Sequence, residues 1–497
     1  MIKSIYQNIV NEQDVRKNLI ALRKELKEEN NITIFLDNLS GEYSVLYALL
    51  EAEDAKTRKN IALIMGELAI PEFMNKLYEA YQKEDKLFVK SDYLVAIRQF
   101  DYRSLLGELK KRLDFLTSHI FEENSLKHIN EETRILTEMV ITLEKPSTHK
   151  FIGYNELSDL ILLTNRNHQQ VTLDQIKKGS AEVFNAGVIV RTKDLREIMN
   201  IRTYSNILFH LPKVTKVAND PLAVAKAIYE GGLLDFLKVR HEGEYPYYFR
   251  IEIKSKMELD KKSTFAKKMA SELERVSGRE LINSTSNYEV EIRLVEGKDG
   301  LFNVLIRLYT IEDERFQYRK NAVSASIHPV NAALIAELAK DYLKEDADVL
   351  DPFCGVGTML IERNKLVPAK VMYGVDIFGE AIDGAIENVD LDNTDIYFIN
   401  KDFFDFTHKY LFDEIFTNMP TRMGRKTEDE IEVLYERFFE KASDLLKDKA
   451  TLIMYTRNKE LVHSSIRNRK QYTVVKEYEI SRKEAAYVCI VQVKKFW

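Results

Sequence analysis

The sequence predicts a multi-domain chain: an all-α N-terminal region, a central α+β region and a C-terminal α/β region built around a β-α-β unit. Three observations carry this prediction. The 497 residues exceed what one hydrophobic core organises, and ~100–200 residues per domain implies about three domains. The apolar pattern has a helical period up to about residue 145, then alternates between helical and extended periods. A glycine-containing turn near residue 355 joins a short apolar run to a helical pattern, and a second apolar run ending in an acid follows about 20 residues on.

Composition narrows the function classes. The chain is 45% hydrophobic and 31% charged, with 18 Gly and 9 Pro, which fits a folded globular protein and not a disordered one. It lacks an apolar run of ~18 residues, so a membrane span is not expected. The opening Met1–Lys17 has no apolar core of a secretory signal, and a cytoplasmic location is expected. Cys354 and Cys489 cannot form a disulfide framework or a four-thiolate zinc site, so no metal centre is predicted. The formal net charge is −6. By region, residues 1–150 hold 22 Lys+Arg against 25 Asp+Glu, 151–325 hold 27 against 24, and 326–497 hold 24 against 30. Only the middle is net positive, which suits a local face for a polyanion.

Residues 1–145 read as helices. Over Asp54–Tyr81, Ile61, Ala62, Met65, Leu68, Phe73, Leu77 and Ala80 recur at three- and four-residue spacings, broken at Ile70-Pro71. A related rhythm returns about 32 residues later, at Val89–Ile97, and loosely at Arg134–Val140. Helix pairs at such a period suggest a short α-solenoid, because each pair covers its apolar face only by stacking on the next. The spacing resembles HEAT-type repeats, and a plain bundle fits as well. Pro146 closes the pattern.

Residues 151–320 alternate. Glu182–Arg191 reads as a strand, Leu195–Ile207 and Pro221–Leu237 as helices, and Tyr247–Lys254 as a strand. Ser263–Arg275 is a helix stopping at Gly278, followed by a hairpin of Tyr288–Leu294 and Phe302–Tyr309. Where strand feeds helix stand Lys254, Lys256, Lys261, Lys262, Lys267 and Lys268. Such a group would serve phosphate binding through counterion release, or simply be a solvated face.

Residues 321–497 carry the chemistry. Ala347–Glu362 reads Ala-Asp-Val-Leu-Asp351-Pro-Phe-Cys354-Gly355-Val-Gly357-Thr-Met-Leu-Ile-Glu, a buried strand, a glycine turn and the start of a helix. Glycines let a ligand approach the backbone, and the helix start favours negatively charged groups. Val371–Asp376 is the second strand, its terminal acid placed to accept hydrogen bonds from ribose hydroxyls. A dinucleotide fingerprint would need a third glycine, which Gly355-Val-Gly357-Thr-Met-Leu lacks.

The run Asp-Pro-Phe-Cys-Gly-x-Gly-Thr closely resembles the nucleotide-binding loop of class I S-adenosylmethionine-dependent methyltransferases, which have a Rossmann-like fold. Three further strand ends agree: Asp376 with Asn388 in the following helix, Asp402-Phe403 after Ile396–Lys401, and Asn418-Met-Pro420-Thr after Phe412–Thr417. The resemblance implies S-adenosylmethionine as cofactor. It places Gly355 and Gly357 against the methionine part, Asp351 near the ammonium, Asp376 on the ribose, and Asp402 with Phe403 around the adenine. Capping for Asp351 and core packing for Phe403 are the plain alternatives, and Cys354 reads as a buried small residue.

In amino-methylating relatives an Asn/Asp-Pro-Pro-aromatic loop orients the acceptor nitrogen. Here Asn418 and Pro420 remain as the catalytic candidates, while Met419 and Thr421 replace the first proline and the aromatic, removing a base stack worth ~1–3 kcal/mol. Arg422 and Arg425 are candidates to hold a phosphate or stack on a base, or belong to a solvated loop. The approach Phe316-Gln-Tyr318-Arg319 through His328-Pro329 is similar to the junction in THUMP-domain RNA methyltransferases, which form N2-methylguanine in tRNA or rRNA. Phe184, Arg191, Arg202 and Thr203 resemble the ferredoxin-like part of that family, and Tyr247–Leu308 the THUMP part. That resemblance implies an RNA partner, gripped in part by Lys254, Lys256, Lys261 and Lys262, with the helical region open to a protein partner. The altered loop leaves two alternatives: a non-catalytic RNA-binding or assembly module that keeps a cofactor pocket, and a methyltransferase for a protein or small-molecule acceptor.

Overall fold

The computed structural model describes residues 2–495 except 120, 146, 215, 245, 325 and 422–426. It divides into two compact units, one of residues 1–149, 244–250 and 259–289, the other of 150–243, 251–258 and 290–497. The expected helix end at Pro146 and the loop residues Arg422 and Arg425 lie outside the described residues.

The first unit is helical from Ile2 to Glu144. Ala55–Leu68 begins at Asp54, whose carboxylate accepts from the N–H groups of Lys56 and Thr57, an N-cap that satisfies donors the helix start leaves open. It ends at Ala69 in the left-handed region, and Phe73–Lys83 follows as the second helix of the pair. Gly66 is required by packing: a Cβ there would lie 2.7 Å from the Ala96 Cα of the Leu87–Ile97 helix. Glu132, fully buried, accepts from Tyr81 and from both nitrogens of the Arg112 fork. The unit also holds the Leu259–Val276 helix and a parallel pairing of Tyr247–Phe249 with Leu281–Asn283.

In the second unit, an antiparallel sheet runs in the order Ser180–Phe184, Gly187–Thr192, Ser158–Thr164, Tyr204–His210, Phe302–Leu308, Val290–Glu296. Three segments depart from the sequence reading, and in one of them the expected Pro221–Leu237 helix is two helices, Pro221–Glu230 and Leu233–Arg240, parted at Gly231-Gly232, where Gly232 is left-handed. Glu182–Arg191 is a hairpin and not one strand, because Gly187 permits a backbone approach in which any Cβ would fall 1.8 Å from the Leu162 carbonyl oxygen. The expected helix over Leu195–Ile207 stops at Met199, and Tyr204–His210 becomes a strand between Ser158–Thr164 and Phe302–Leu308. Tertiary pairing there overrides the helical spacing.

The same unit contains a seven-stranded sheet. Its strands are β1 (Asp348–Asp351), β2 (Val371–Asp376), β3 (Tyr397–Asn400), β4 (Phe412–Asn418), β5 (Leu446–Thr456), β6 (Tyr472–Ser481) and β7 (Ala486–Val493), in the order β3-β2-β1-β4-β5-β7-β6. The first five are parallel and β7 is antiparallel to both neighbours. Helices α1 (Thr358–Leu366), α2 (Gly379–Asp392) and α3 (Glu428–Leu445) connect them. The order reverses at β1, whose neighbours are β2 and β4, so the carboxyl ends of these three strands open onto one crevice, where open α/β sheets bind ligands. Phe403, Phe412, Ile415, Met419, Tyr435, Phe438 and Leu452 form part of one core face, and Leu334, Ile335, Val349, Leu360, Phe416 and Ile453 part of the other. Burial on both faces explains the continuous apolar run Leu452–Met454 of β5.

Candidate functional site

The crevice is assembled from four strand ends. β1 delivers Asp351, fully buried. Its Oδ1 accepts from the Phe353 N–H at 3.1 Å and the Thr417 hydroxyl at 2.6 Å, while Oδ2 has no hydrogen-bond partner. Burial pushes this carboxyl up to about 7, with the Asp376 charge adding to the rise and the two hydrogen bonds opposing it. A buried, unpartnered carboxylate oxygen costs free energy unless something supplies a donor.

The turn after β1 places Gly355 at φ 51° and Gly357 at φ 81°, both left-handed. A Cβ on Gly355 would meet nothing within 4 Å, whereas one on Gly357 would press on the Phe398 ring at 3.0 Å. Gly355 is thus open to a ligand, and Gly357 is held by packing at the start of α1. Thr358, first residue of that helix, has a buried hydroxyl without a partner. Cys354 is buried between these groups, and burial with the charges of Asp351 and Asp376 drives its thiol well above the usual value, which suits an inert residue.

β2 ends in Asp376. Its Oδ2 accepts from the Gly355 N–H at 2.9 Å and Oδ1 from the Phe378 N–H at 3.0 Å, so the acid fixes the glycine turn and keeps further lone pairs for a ligand. Ile377 and Phe378 follow at 58% and 71% exposure, an apolar pair standing in solvent beside an acid. From α2, Asn388 is fully buried, donates to the carbonyls of Val356 and Asn321 and accepts from the Asn321 N–H, tying the turn to the start of the region that carries the crevice. After β3, Asp402 caps a short 3-10 turn by accepting from the Phe404 N–H. The Phe403 ring lies in the core, 2% exposed against Phe353 and Phe438. A role for Phe403 around an adenine therefore falls to its backbone and not its ring.

β4 ends in Asn418, half-buried and paired with Tyr455 of β5. Met419 is 1% exposed and its N–H donates to the Tyr455 carbonyl, so the residue in place of the first proline is a core anchor. Pro420 and Thr421 are half-buried. The structure thus brings Asp351, Gly355, Gly357, Asp376, Asp402, Asn418 and Pro420 to the carboxyl ends of β1 to β4.

The lysines are elsewhere. Lys254 pairs with Glu252 at 2.5 Å, and the Lys256 N–H donates to Glu296, both in the second unit. Lys261 is exposed and Lys262 half-buried on the Leu259–Val276 helix of the first unit. Sequence reasoning did not single out Thr358, Thr417, Ile377 or Phe378. Nothing in their spacing signals a role, because the buried hydroxyls and the exposed apolar pair become visible only when the strand ends meet.

A second contact set secures α1. Glu362, fully buried, accepts from Arg202 Nη2 and Nε at 2.6 and 2.7 Å and from the Tyr318 hydroxyl at 2.6 Å. Arg202 also lies over the Phe316 ring. The junction residues Phe316 and Tyr318 therefore lock the helix that opens from the glycine turn.

Comparisons with known proteins bear on the region that carries this crevice. Residues 317–486 match the family described as RMKL-like, methyltransferase domain. The chain is 28% identical over 137 residues to ribosomal protein L11 methyltransferase of Thermotoga petrophila, and equally to that of Thermotoga maritima. Those matches cover 26% of this chain, which spans about half (51%) of the length of these curated relatives. Among solved structures, TrmN from Thermus thermophilus superposes with a TM-score of 0.52 at 17% identity, covering 68% of this chain and 99% of that one. The methyltransferase SMU.472 complexed with SAH gives 0.53 at 14% identity, covering 69% and 99%. Both share the fold.

The residues present fit S-adenosylmethionine: an unpartnered buried carboxylate oxygen for an ammonium, an open glycine backbone, and a strand-end acid for ribose hydroxyls. Over residues 317–486 the chain is thus similar to a methyltransferase domain, and its cofactor is S-adenosylmethionine.

Proposed function

We propose that the chain transfers the methyl group of S-adenosylmethionine to an exocyclic amine of an RNA base, guanine N2 of tRNA or rRNA. The observation that carries this reading is Asn418-Met-Pro420 at the end of β4, one residue beyond the Thr417 hydroxyl that bonds to Asp351. The cofactor supplies an electrophilic methyl on its sulfonium. The chain's residues supply position: the Asn418 side-chain oxygen and a loop carbonyl accept from the amine N–H groups and turn its lone pair toward the methyl carbon. With the amine held in line by Asn418 and the loop carbonyl, the methyl would pass to nitrogen as its S–C bond breaks, and the amine proton would go to water. Holding two reactants in line lowers the barrier without acid–base chemistry at neutral pH. Asp351 and Asp376 hold the ammonium and ribose, Asp402 and the Phe403 backbone frame the adenine, and Ile377 and Phe378 offer it apolar area.

RNA as the acceptor is supported by the resemblance at Phe316–Pro329 and by the net-positive middle of the chain, with Lys254, Lys256, Lys261, Lys262, Arg422 and Arg425 as the phosphate-contacting candidates. A protein acceptor is the second reading, favoured by the match to ribosomal protein L11 methyltransferases. The test is transfer of labelled methyl from S-adenosylmethionine into RNA and, in parallel, into protein extract, both from cells lacking the protein, with the labelled nucleoside identified after digestion of the RNA. Label in N2-methylguanosine supports the proposal. Label only in protein supports the second reading, and no label with cofactor bound supports a non-catalytic module.

A further inference from the structure

Thr417 is a buried hydroxyl on β4, immediately before Asn418 and 0% exposed. A threonine in a parallel strand covered on both faces needs a partner for its hydroxyl. It finds one across the sheet, donating to Asp351 Oδ1 at 2.6 Å. The Phe353 N–H occupies the same oxygen at 3.1 Å. Among the described residues, both hydrogen bonds to Asp351 therefore fall on one oxygen, and Oδ2 stays buried without a partner.

We propose that Thr417 is a positioning residue for cofactor capture: by engaging Asp351 Oδ1 it orients the carboxylate so that Oδ2 is presented to the α-ammonium of S-adenosylmethionine, and it joins the strand of the glycine turn to the strand of Asn418. The proposal rests on the cofactor assignment and goes beyond it by naming a residue that touches neither cofactor nor acceptor. The groups facing Asp351 are few. Asp376 from β2 opposes ionisation, Cys354 from the turn is a neutral thiol, and Thr417 from β4 and the Phe353 N–H favour the carboxylate. Removing the hydroxyl removes one of the two donors that hold the charge among the described residues.

The pH dependence of binding then reports on Thr417. An ammonium ligand binds the ionised carboxylate, so affinity falls as pH drops through the free-state value of about 7. Between pH 8 and pH 6 the expected loss is about tenfold. Thr417→Val keeps shape and volume but cannot donate, which moves the midpoint up, so that binding at pH 8 weakens by about three- to tenfold and recovers toward wild type at higher pH. Thr417→Ser restores the wild-type profile.

The experiment is calorimetric titration of the full chain and both variants with S-adenosylhomocysteine from pH 6 to 9, with thermal melts as a fold check. 5′-Methylthioadenosine, which has no ammonium, serves as the control and is expected to bind independently of pH in every variant. Asp351→Asn gives a second route, because it should flatten the wild-type profile without touching Thr417. A Thr417→Val profile displaced upward and rescued by serine supports the proposal. An unchanged profile, or equal weakening at every pH and for both ligands, overturns it as a merely structural contact. Failure of wild-type protein to bind S-adenosylhomocysteine at all overturns the cofactor assignment instead.

Discussion

Asp351 bears a cost in the free protein. Its carboxyl is raised to about 7 by burial, from an ordinary value of 3.8. The folded chain therefore holds a proton that the unfolded chain has released between about pH 4 and pH 7. Stability contributed at this position is full below the unfolded value and is lost as pH rises through the folded one. At pH 8 the penalty is of order 2–4 kcal/mol. Asp351→Asn keeps an acceptor for Thr417 and Phe353 while removing the charge. It should raise the melting temperature of the free protein by several degrees at pH 8 and weaken S-adenosylhomocysteine binding at least tenfold. Differential scanning fluorimetry and calorimetry on the same preparation check both, and a variant less stable than wild type at pH 8 would contradict the assignment of strain to this carboxyl.

Among the elements, α1 matters most, because its first turn shapes the glycine site and its fifth residue, Glu362, is anchored to Arg202 and Tyr318. Arg202→Ala leaves a fully buried carboxylate with only the tyrosine donor, a loss of about 3 kcal/mol. Arg202→Met combined with Glu362→Gln should recover most of it, which urea unfolding measures. Asn388→Ala strips partners from Val356 and Asn321 and is expected to cost about 2 kcal/mol and to weaken cofactor binding severalfold.

The same scale shows what was legible in the sequence. The strand ends at Asp351, Asp376, Asp402 and Asn418 were readable because each apolar run stops at a polar residue, and the parallel order then brings them to one edge. The Glu182–Arg191 hairpin was not, since its turn depends on a close approach to Leu162 from a distant strand. Nor was Tyr204–His210, whose helical spacing is overridden by two neighbours far along the chain. The Thr417–Asp351 bond spans 66 residues, and no local pattern encodes it.

For the whole molecule, the compact units do not follow the chain in simple order: residues 259–289 cluster with the N-terminal helices, while 150–243 and 290–497 form the unit that carries the crevice. Among the described residues no helix is long and apolar enough to cross a membrane. If the Leu259–Val276 helix meets RNA, Lys261→Ala with Lys262→Ala should weaken RNA binding uniformly across sequences and reduce the salt slope by about 1.4 on single strands, leaving the cofactor Kd unchanged. Filter binding at several salt concentrations reads this, and an unaltered slope removes those lysines from the interface.

The central claim is that one domain holds the cofactor while Asn418 orients an acceptor amine. Asn418→Ala tests it most directly, with S-adenosylhomocysteine affinity and methyl transfer to RNA measured on one preparation of the full chain. The account predicts cofactor affinity within about twofold of wild type and transfer reduced by a factor of 10² or more, as expected when a positioning contact to the reacting nitrogen is lost. Full turnover with Asn418 replaced would contradict it.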